Sequence, residues 1–254
     1  MRALYPQSKK ASLENGLEYF LKDFSIKLED LYKSLTVLNK HKSTFVARMH
    51  RELKARYARQ TDILYYDVTN YFFEIDQPDE FRIKGCSKEH RPLPIVQMGL
   101  FMDSQGLPVD FYLYEGNKPD CTTLKPSFEQ VKKNYKADKV IVTADKGLNS
   151  ESNLGYLLSH GNGYIVSQRI RGAKKDLRDE VLKDDGWLGA EGASFEMKEF
   201  TRTITVTYPD KSKHEHKQKV LCLWSEKYQS KEKQERDNLL DKIATLAANP
   251  KAFK

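Results

Sequence analysis

Ile63-Leu64-Tyr65-Tyr66-Asp67-Val68-Thr69 decides the fold class. The run is short, apolar, aromatic and β-branched, so it predicts a buried strand that breaks off the helical pattern before it. Tyr71 to Ile75 extends it, and a polar loop follows from Asp76 to Pro94. Ile95 to Met102 predicts a second strand, Asp103-Ser104-Gln105-Gly106 a turn, and Pro108 to Tyr114 a third strand, which together can form an antiparallel meander. Thr122 to Tyr135 reads as a helix with Leu124, Phe128 and Val131 on one face. Val140 to Ala144 is a compact strand ending at Asp145. Ser150 is positioned to cap a helix carrying Leu154, Leu157 and Leu158, and Tyr164 to Ser167 forms another strand. Three strands, helix, strand, helix, strand is the order of a mixed α/β sheet with right-handed crossovers. The expected core is Leu64, Val68, Ile95, Leu100, Val140, Val142, Leu154, Leu157 and Ile165.

Outward from this centre the character changes on both sides. Residues 12–58 repeat apolar side chains at helical spacing, through Leu17, Phe20, Leu21 and Phe24 and then Leu28, Leu31, Leu35 and Leu38. Two or three helices are expected there, with Ser12 as an N-cap and a Lys/Arg-rich helix over Ser43 to Arg59. On the far side, Asp176 to Lys183 predicts a short helix. Phe195 to Thr201, Thr203 to Tyr208 and Lys219 to Trp224 predict strands of a small antiparallel unit, with a turn at Tyr208-Pro209-Asp210-Lys211. Gln234 to Ala248 predicts a closing helix.

The formal net charge is +7, and it is unevenly spread. Residues 1–60 hold 13 Lys/Arg and 6 Asp/Glu, so the whole excess lies in the first quarter. Such concentrated basic charge favours a polyanion, although a solvated helical face has the same composition. No apolar run is long enough to span a bilayer, and the N-terminus lacks the pattern of a secretion signal. Cys86, Cys121 and Cys222 are widely spaced, which argues against both a zinc knuckle and a disulfide framework and fits a cytoplasmic setting.

Asp67 and Asp145 each follow an apolar strand run. In an open sheet, groups at the carboxyl ends of parallel neighbours meet in one crevice, and paired carboxylates there suit Mg²⁺ or Mn²⁺. An Asp after a strand also serves commonly as a turn residue or helix cap. A two-carboxylate glycosidase is the other enzymatic use of such a pair, without independent support in this sequence.

Several ordered segments carry a family resemblance. Tyr66-Asp67-Val68-Thr69-Asn70-Tyr71-Phe72-Phe73-Glu74 resembles the first-aspartate segment of DDE transposases from bacterial insertion sequences. Gly85-Cys86-Ser87-Lys88-Glu89-His90-Arg91-Pro92 resembles the stretch that follows it in one branch. Gln97-Met98-Gly99-Leu100, Asp103, Gly106, Pro108, Glu115-Gly116-Asn117, Asp120 and Thr122-Thr123 continue the pattern. Val142-Thr143-Ala144-Asp145-Lys146-Gly147 resembles the second-aspartate segment, and Asn153, Tyr164 and Ile165 fall where the next helix and strand would be. The likeness is close from Asp62 to Arg171 and looser beyond.

The resemblance implies a ribonuclease-H-like α/β fold preceded by a helical N-terminal region and interrupted by a small β-rich insertion. It implies three regions: 1–60 basic and helical, 61–172 the first part of the catalytic domain, and 173–254 the insertion with its closing helix. It implies cleavage and strand transfer at transposon ends in double-stranded DNA, a two-metal Mg²⁺ or Mn²⁺ site, action as a homo-oligomer, and a bacterial, nucleoid-associated location. By motif match Asp67 and Asp145 are the first two catalytic, metal-binding residues. Lys88, His90, Arg91 and Lys146 are candidates for DNA contact. The family's third residue is a Glu on a helix beyond the insertion. Glu232 and Glu235 better match the insertion itself, so no residue here takes that role. A truncated transposase, not expected to transpose alone, is one expectation; a non-catalytic DNA-binding or dimerising remnant is the alternative.

Overall fold

In the computed structural model, β1 (Ile63–Phe72) alternates strictly, with Leu64, Tyr66 and Val68 buried and Tyr65, Asp67 and Thr69 exposed. The structure describes residues 6–16, 25–85, 92–135, 139–189 and 194–248. The meander expected from the sequence forms: β1 pairs antiparallel with β2 (Ile95–Met102), and β2 pairs antiparallel with β3 (Pro108–Glu115). With β4 (Ile141–Ala144) and β5 (Gly163–Val166) these strands make one mixed sheet in the order β3-β2-β1-β4-β5. A meander followed by two crossover strands in this order is the ribonuclease-H-like arrangement. The chain divides into two compact units, residues 1–143 and 144–254.

In the first unit a helix, α4 (Leu124–Tyr135), lies on one face of the meander. Leu124, Phe128 and Val131 are buried there with Leu64, Tyr66, Ile95, Phe101 and Val109. The Tyr66 and Phe101 rings stand 4.4 Å apart, and Phe101 and Phe128 6.2 Å. Tyr66 donates its hydroxyl to Thr123 Oγ1 at 2.8 Å, as a buried phenol must find a partner. A Cβ on Gly99 would collide with that phenol, so this glycine makes room for the ring.

Among the described residues the N-terminal part forms α1 (Lys9–Gly16), α2 (Leu28–Lys40) and α3 (Lys42–Tyr57). The expected cap moves, because Ser12 lies inside α1 and Ser8 Oγ accepts from Ala11 N at 3.1 Å. Leu17, Phe20, Leu21 and Phe24 lie outside the described residues. After α3 the chain turns at Ala58 through a left-handed conformation, φ 47°, and Arg59 goes inward.

In the second unit α5 (Glu151–Ser159) is capped by Ser150, whose side chain accepts from Asn153 N at 3.2 Å, as the sequence predicts. The short α6 (Lys175–Val181) precedes a long hairpin of β6 (Phe195–Thr207) and β7 (Lys213–Ser225), and α7 (Glu226–Ala248) follows. Two strands expected over 195–208 are one, because Arg202 sits on the inner face and bonds Gln218 Oε1 at 2.8 Å instead of ending the run. A Cβ on Gly155 would collide with the Thr207 carbonyl, so glycine lets α5 approach β6. Lys198 is buried, and its Nζ donates to the carbonyls of Glu180 and Lys183 at 2.9 and 3.1 Å. That ammonium satisfies carbonyls at the C-terminal end of α6.

Six of the nine expected core residues are buried: Leu64, Val68, Ile95, Val140, Val142 and Leu157. Leu100 and Leu154 are half-buried, and Ile165 is exposed because β5 is the edge strand of the sheet.

Candidate active site

Asp67 is the fifth of ten residues in β1, inside the strand as the run from Ile63 to Thr69 predicts, and so is not a group at a strand's carboxyl end like Asp145. The strand continues because Val68 supplies another buried contact and the pairing to β2 runs on to Phe72 and Ile95. Strand alternation points Asp67 away from the α4 side, onto the face it shares with Tyr65, Thr69 and Tyr71. Its partner in register is Leu100, so Met98, Leu100 and Met102 of β2 continue that face, and Phe111 and Leu113 of β3 follow. Tyr65, Asp67, Tyr71 and Leu113 are exposed there. Tyr65 and Tyr71 belong to this surface and were not singled out from the sequence, although the period-2 spacing with Asp67 carries the information.

Asp145 directly follows β4, as expected, and is exposed. Its Oδ1 accepts from Gly147 N at 2.8 Å, and Leu148 N donates to its carbonyl at 3.3 Å. This is an Asx-turn, so the structural use of an Asp at this place is real. A Cβ on Gly147 would lie 3.2 Å from Oδ1, which ties the glycine of the Asp-Lys-Gly segment to the carboxylate's position. A carboxylate has about four lone-pair sites, so one backbone bond leaves Asp145 able to bind a cation. Lys146 is exposed beside it.

Lys88, His90 and Arg91 lie outside the described residues. Gly85, just before this segment, and Gly116, just after β3, have a packing role. A Cβ on Gly85 would collide with the Gly116 carbonyl, and one on Gly116 with the carbonyls of Ile83 and Ile95. Three backbone segments cross here at a distance only glycine allows.

Hard oxygen donors of the kind Asp67 and Asp145 offer fit Mg²⁺ or Mn²⁺, which often take only one or two protein carboxylates and complete their shell with water and substrate phosphate. Among the described residues no group of three or more His, Cys, Asp and Glu side chains stands together as a metal cage.

The basic residues of the N-terminal region fall into exposed and anchoring groups. Arg48, Arg51, Lys54 and Arg56 are exposed on α3. Arg59 is buried: its Nε meets Asp103 Oδ2 at 2.7 Å, with both side chains fully shielded, and its Nη2 donates to Leu107 O at 3.0 Å. Lys42 lies 3.5 Å from the Asp110 carboxylate and 4.0 Å from the centre of the Phe111 ring. Asp110 also accepts from the hydroxyls of Tyr112 and Tyr135 at 3.0 and 3.3 Å. Burial first, and then the Asp110 charge, push both phenols far above their ordinary range. Two of the positive charges counted from the sequence therefore anchor α3 to the β2–β3 end of the sheet.

Among the described residues no helix is long and apolar enough to cross a membrane. No family model and no curated protein matches the chain. Solved structures to which it is similar include transposases. One is a piggyBac transposase synaptic complex with hairpin DNA, at 9% identity and a TM-score of 0.31, covering 65% of this chain and 33% of that one. A Mos1 transposase paired-end complex with left transposon end gives 10% identity and 0.30, over 64% of this chain and 55% of that one. A Mos1 mariner paired end complex with Mn gives 10% identity and 0.29, over 64% and 52%. The chain thus spans about a third to about half of the transposases it is similar to.

Proposed function

We propose that this chain is part of a DDE-type transposase of the bacterial insertion-sequence kind, acting on double-stranded DNA at transposon ends. The observation that carries the reading is Asp67, an exposed carboxylate in the central strand of a ribonuclease-H-like sheet, on the face opposite Leu64, Tyr66 and Val68. It lies inside the sequence segment that resembles the family's first-aspartate motif. Asp145, exposed in an Asp-Lys-Gly turn, is the second metal-binding carboxylate. Residues 1–60 form the basic helical region, 61–172 belong to the catalytic domain, and 173–254 form its β-rich insertion with the closing helix.

Each residue has a task on this reading. Asp67 and Asp145 hold Mg²⁺ or Mn²⁺, which when bound supplies charge stabilisation to the attacking and leaving oxygens of a phosphodiester. Gly147 N holds the Asp145 carboxylate in one orientation. Lys146, with Lys88, His90 and Arg91, contacts DNA phosphates. The proposal assigns two carboxylates and leaves the third unassigned, so metal binding is expected to be weak and strand cleavage slow or absent.

Calorimetric titration of the chain with Mn²⁺ tests this, beside Asp67→Asn, Asp145→Asn and the double variant. Binding by the parent chain that weakens in each single variant and disappears in the double variant is the expected result. Binding unchanged by either substitution, or no binding by the parent chain, would remove the assignment.

A further inference from the structure

The hairpin and α7, both in the second unit, each present an apolar face that their own chain leaves exposed. Register places Phe195, Met197 and Glu199 of β6 opposite Ser225, Leu223 and Leu221 of β7, so these side chains share the outer face. Leu188, bridged to Met197, extends the patch. Leu188, Phe195, Met197, Leu221 and Leu223 are between 45% and 66% exposed. The inner face is different, with Lys198, Val206 and Cys222 buried. Farther along the outer face Lys219 and Lys217 stand opposite Thr201 and Thr203.

On α7 the line Tyr228, Glu232, Glu235, Leu239, Ile243, Leu246 follows steps of three and four residues. No residue of this 23-residue helix is buried, and Leu239, Leu240 and Ile243 are more than half exposed. The line runs from an acidic pair to an apolar end. The hairpin face runs from a lysine pair to an apolar end.

We propose that α7 of a second copy of this chain lies along the outer face of the β6–β7 hairpin, and that the exchange is reciprocal. The spacings match. Glu235 and Glu232 lie about 12 and 17 Å along the helix axis from Ile243. Lys219 and Lys217 lie about 10 and 17 Å along the strand from the middle of the Leu221–Leu223 patch. A helix running parallel to β7 therefore sets apolar on apolar and both glutamates beside both lysines. In the single chain Glu232 pairs with Arg171, Glu235 with Lys231 and Lys219 with Glu199, all exposed pairs that exchange at little cost. Roughly nine apolar side chains per copy, at about 80 Å² each, cover on the order of 1,400 Å² in two reciprocal contacts, within the range of stable dimers. A two-fold exchange closes on itself and stops at two copies.

Sedimentation of the full chain over a concentration series tests it, with two double variants. Leu239→Glu with Ile243→Glu spoils the helix, and Leu221→Glu with Leu223→Glu spoils the hairpin. The parent chain is expected to dimerise and each variant to sediment as a monomer. An equimolar mixture of the two variants is expected to form a weaker one-to-one dimer, because one helix–hairpin contact remains intact. A monomeric parent, a dimer that survives in either variant, or a mixture that stays monomeric overturns the proposal. Charge reversal supplies a second route that leaves the apolar faces untouched. Glu232→Lys with Glu235→Lys, or Lys217→Glu with Lys219→Glu, is expected to weaken the dimer, and all four together to restore it. Failure of the combined chain to regain association counts against the stated alignment.

Discussion

Arg59 and Asp103 show how much a single buried pair can hold. Both side chains are fully shielded, and Asp103 Oδ1 also accepts from Gln105 N and Leu107 N at 3.0 and 2.9 Å. Arg59→Met leaves Asp103 as an uncompensated buried charge, and the expected loss is about 3–5 kcal/mol of stability. Asp103→Asn added to it keeps an acceptor for the turn and removes the charge, so part of the loss is regained. Urea unfolding of the three chains measures this, and a double variant no better than Arg59→Met would refute the account. His50 sits in the same cluster, 3.5 Å from Arg59 Nη1 and with its ring 4.5 Å from that of Tyr135. Burial first, then the charges of Arg59 and Lys54, hold its pKa below the ordinary 6.5, against the opposing pull of Asp103. The folded state therefore prefers neutral His50, and the unfolded chain takes up the proton more readily. Its contribution is full above about pH 6.5 and is lost as pH falls through that value towards the lower folded pKa. Unfolding midpoints measured from about pH 7.5 to pH 5 should fall, and His50→Gln should flatten that fall. Equal slopes in both chains would show that other groups carry the pH dependence.

At the level of elements, close approach is set by glycine. Gly155→Val pushes a side chain against the Thr207 carbonyl, and α5 must move off the end of β6. The same shift strains the bond from Thr207 Oγ1 to Glu151 Oε1, 2.7 Å in the parent. A cost of about 1–3 kcal/mol is expected, read as a lowered denaturation midpoint; an unchanged midpoint would mean that helix and strand yield freely. Most elements were legible because their patterns are local. The sequence predicts β2 over Ile95 to Met102, its observed bounds, since its apolar run ends in a turn whose Asp103 accepts from the backbone at Gln105 and Leu107. What was hidden depended on distant partners. Arg59 meets a carboxylate 44 residues on, so it counted as surface charge. Lys198 reaches carbonyls 15 and 18 residues back, and no pattern marks it as a buried cation. Asp67 lies within the predicted run from Ile63 to Thr69, and pairing with β2 as far as Phe72 keeps it in mid-strand, whereas Asp145 follows its strand. The outward direction of Asp67 was legible in the alternation of Leu64, Tyr66 and Val68.

For the molecule as a whole, the basic excess of the first quarter is divided between anchoring and exposure. Lys42 and Arg59 dock α3, while Arg48, Arg51, Lys54 and Arg56 remain on the surface. DNA affinity, if it resides there, falls steeply with salt, by about 0.9 in log–log slope for each phosphate contacted. Replacing Arg48, Arg51 and Lys54 by Ala is expected to reduce the slope by about two to three, as measured by fluorescence anisotropy of a labelled duplex. An unaltered slope would place DNA contact elsewhere. The hairpin, finally, bears on the order in which the chain acquires structure. Thr207 and Lys213 pair across a short loop, with Tyr208 N donating to Ser212 O at 2.9 Å and Lys211 at φ 69° turning the backbone. Once that loop closes, each further pair down to Phe195 and Ser225 adds only two residues to the loop already closed, so the entropy of closure rises slowly from step to step. β1 and β4 must wait for the residues between them to gather, whereas the hairpin zips from its own tip and belongs to the early, local part of folding.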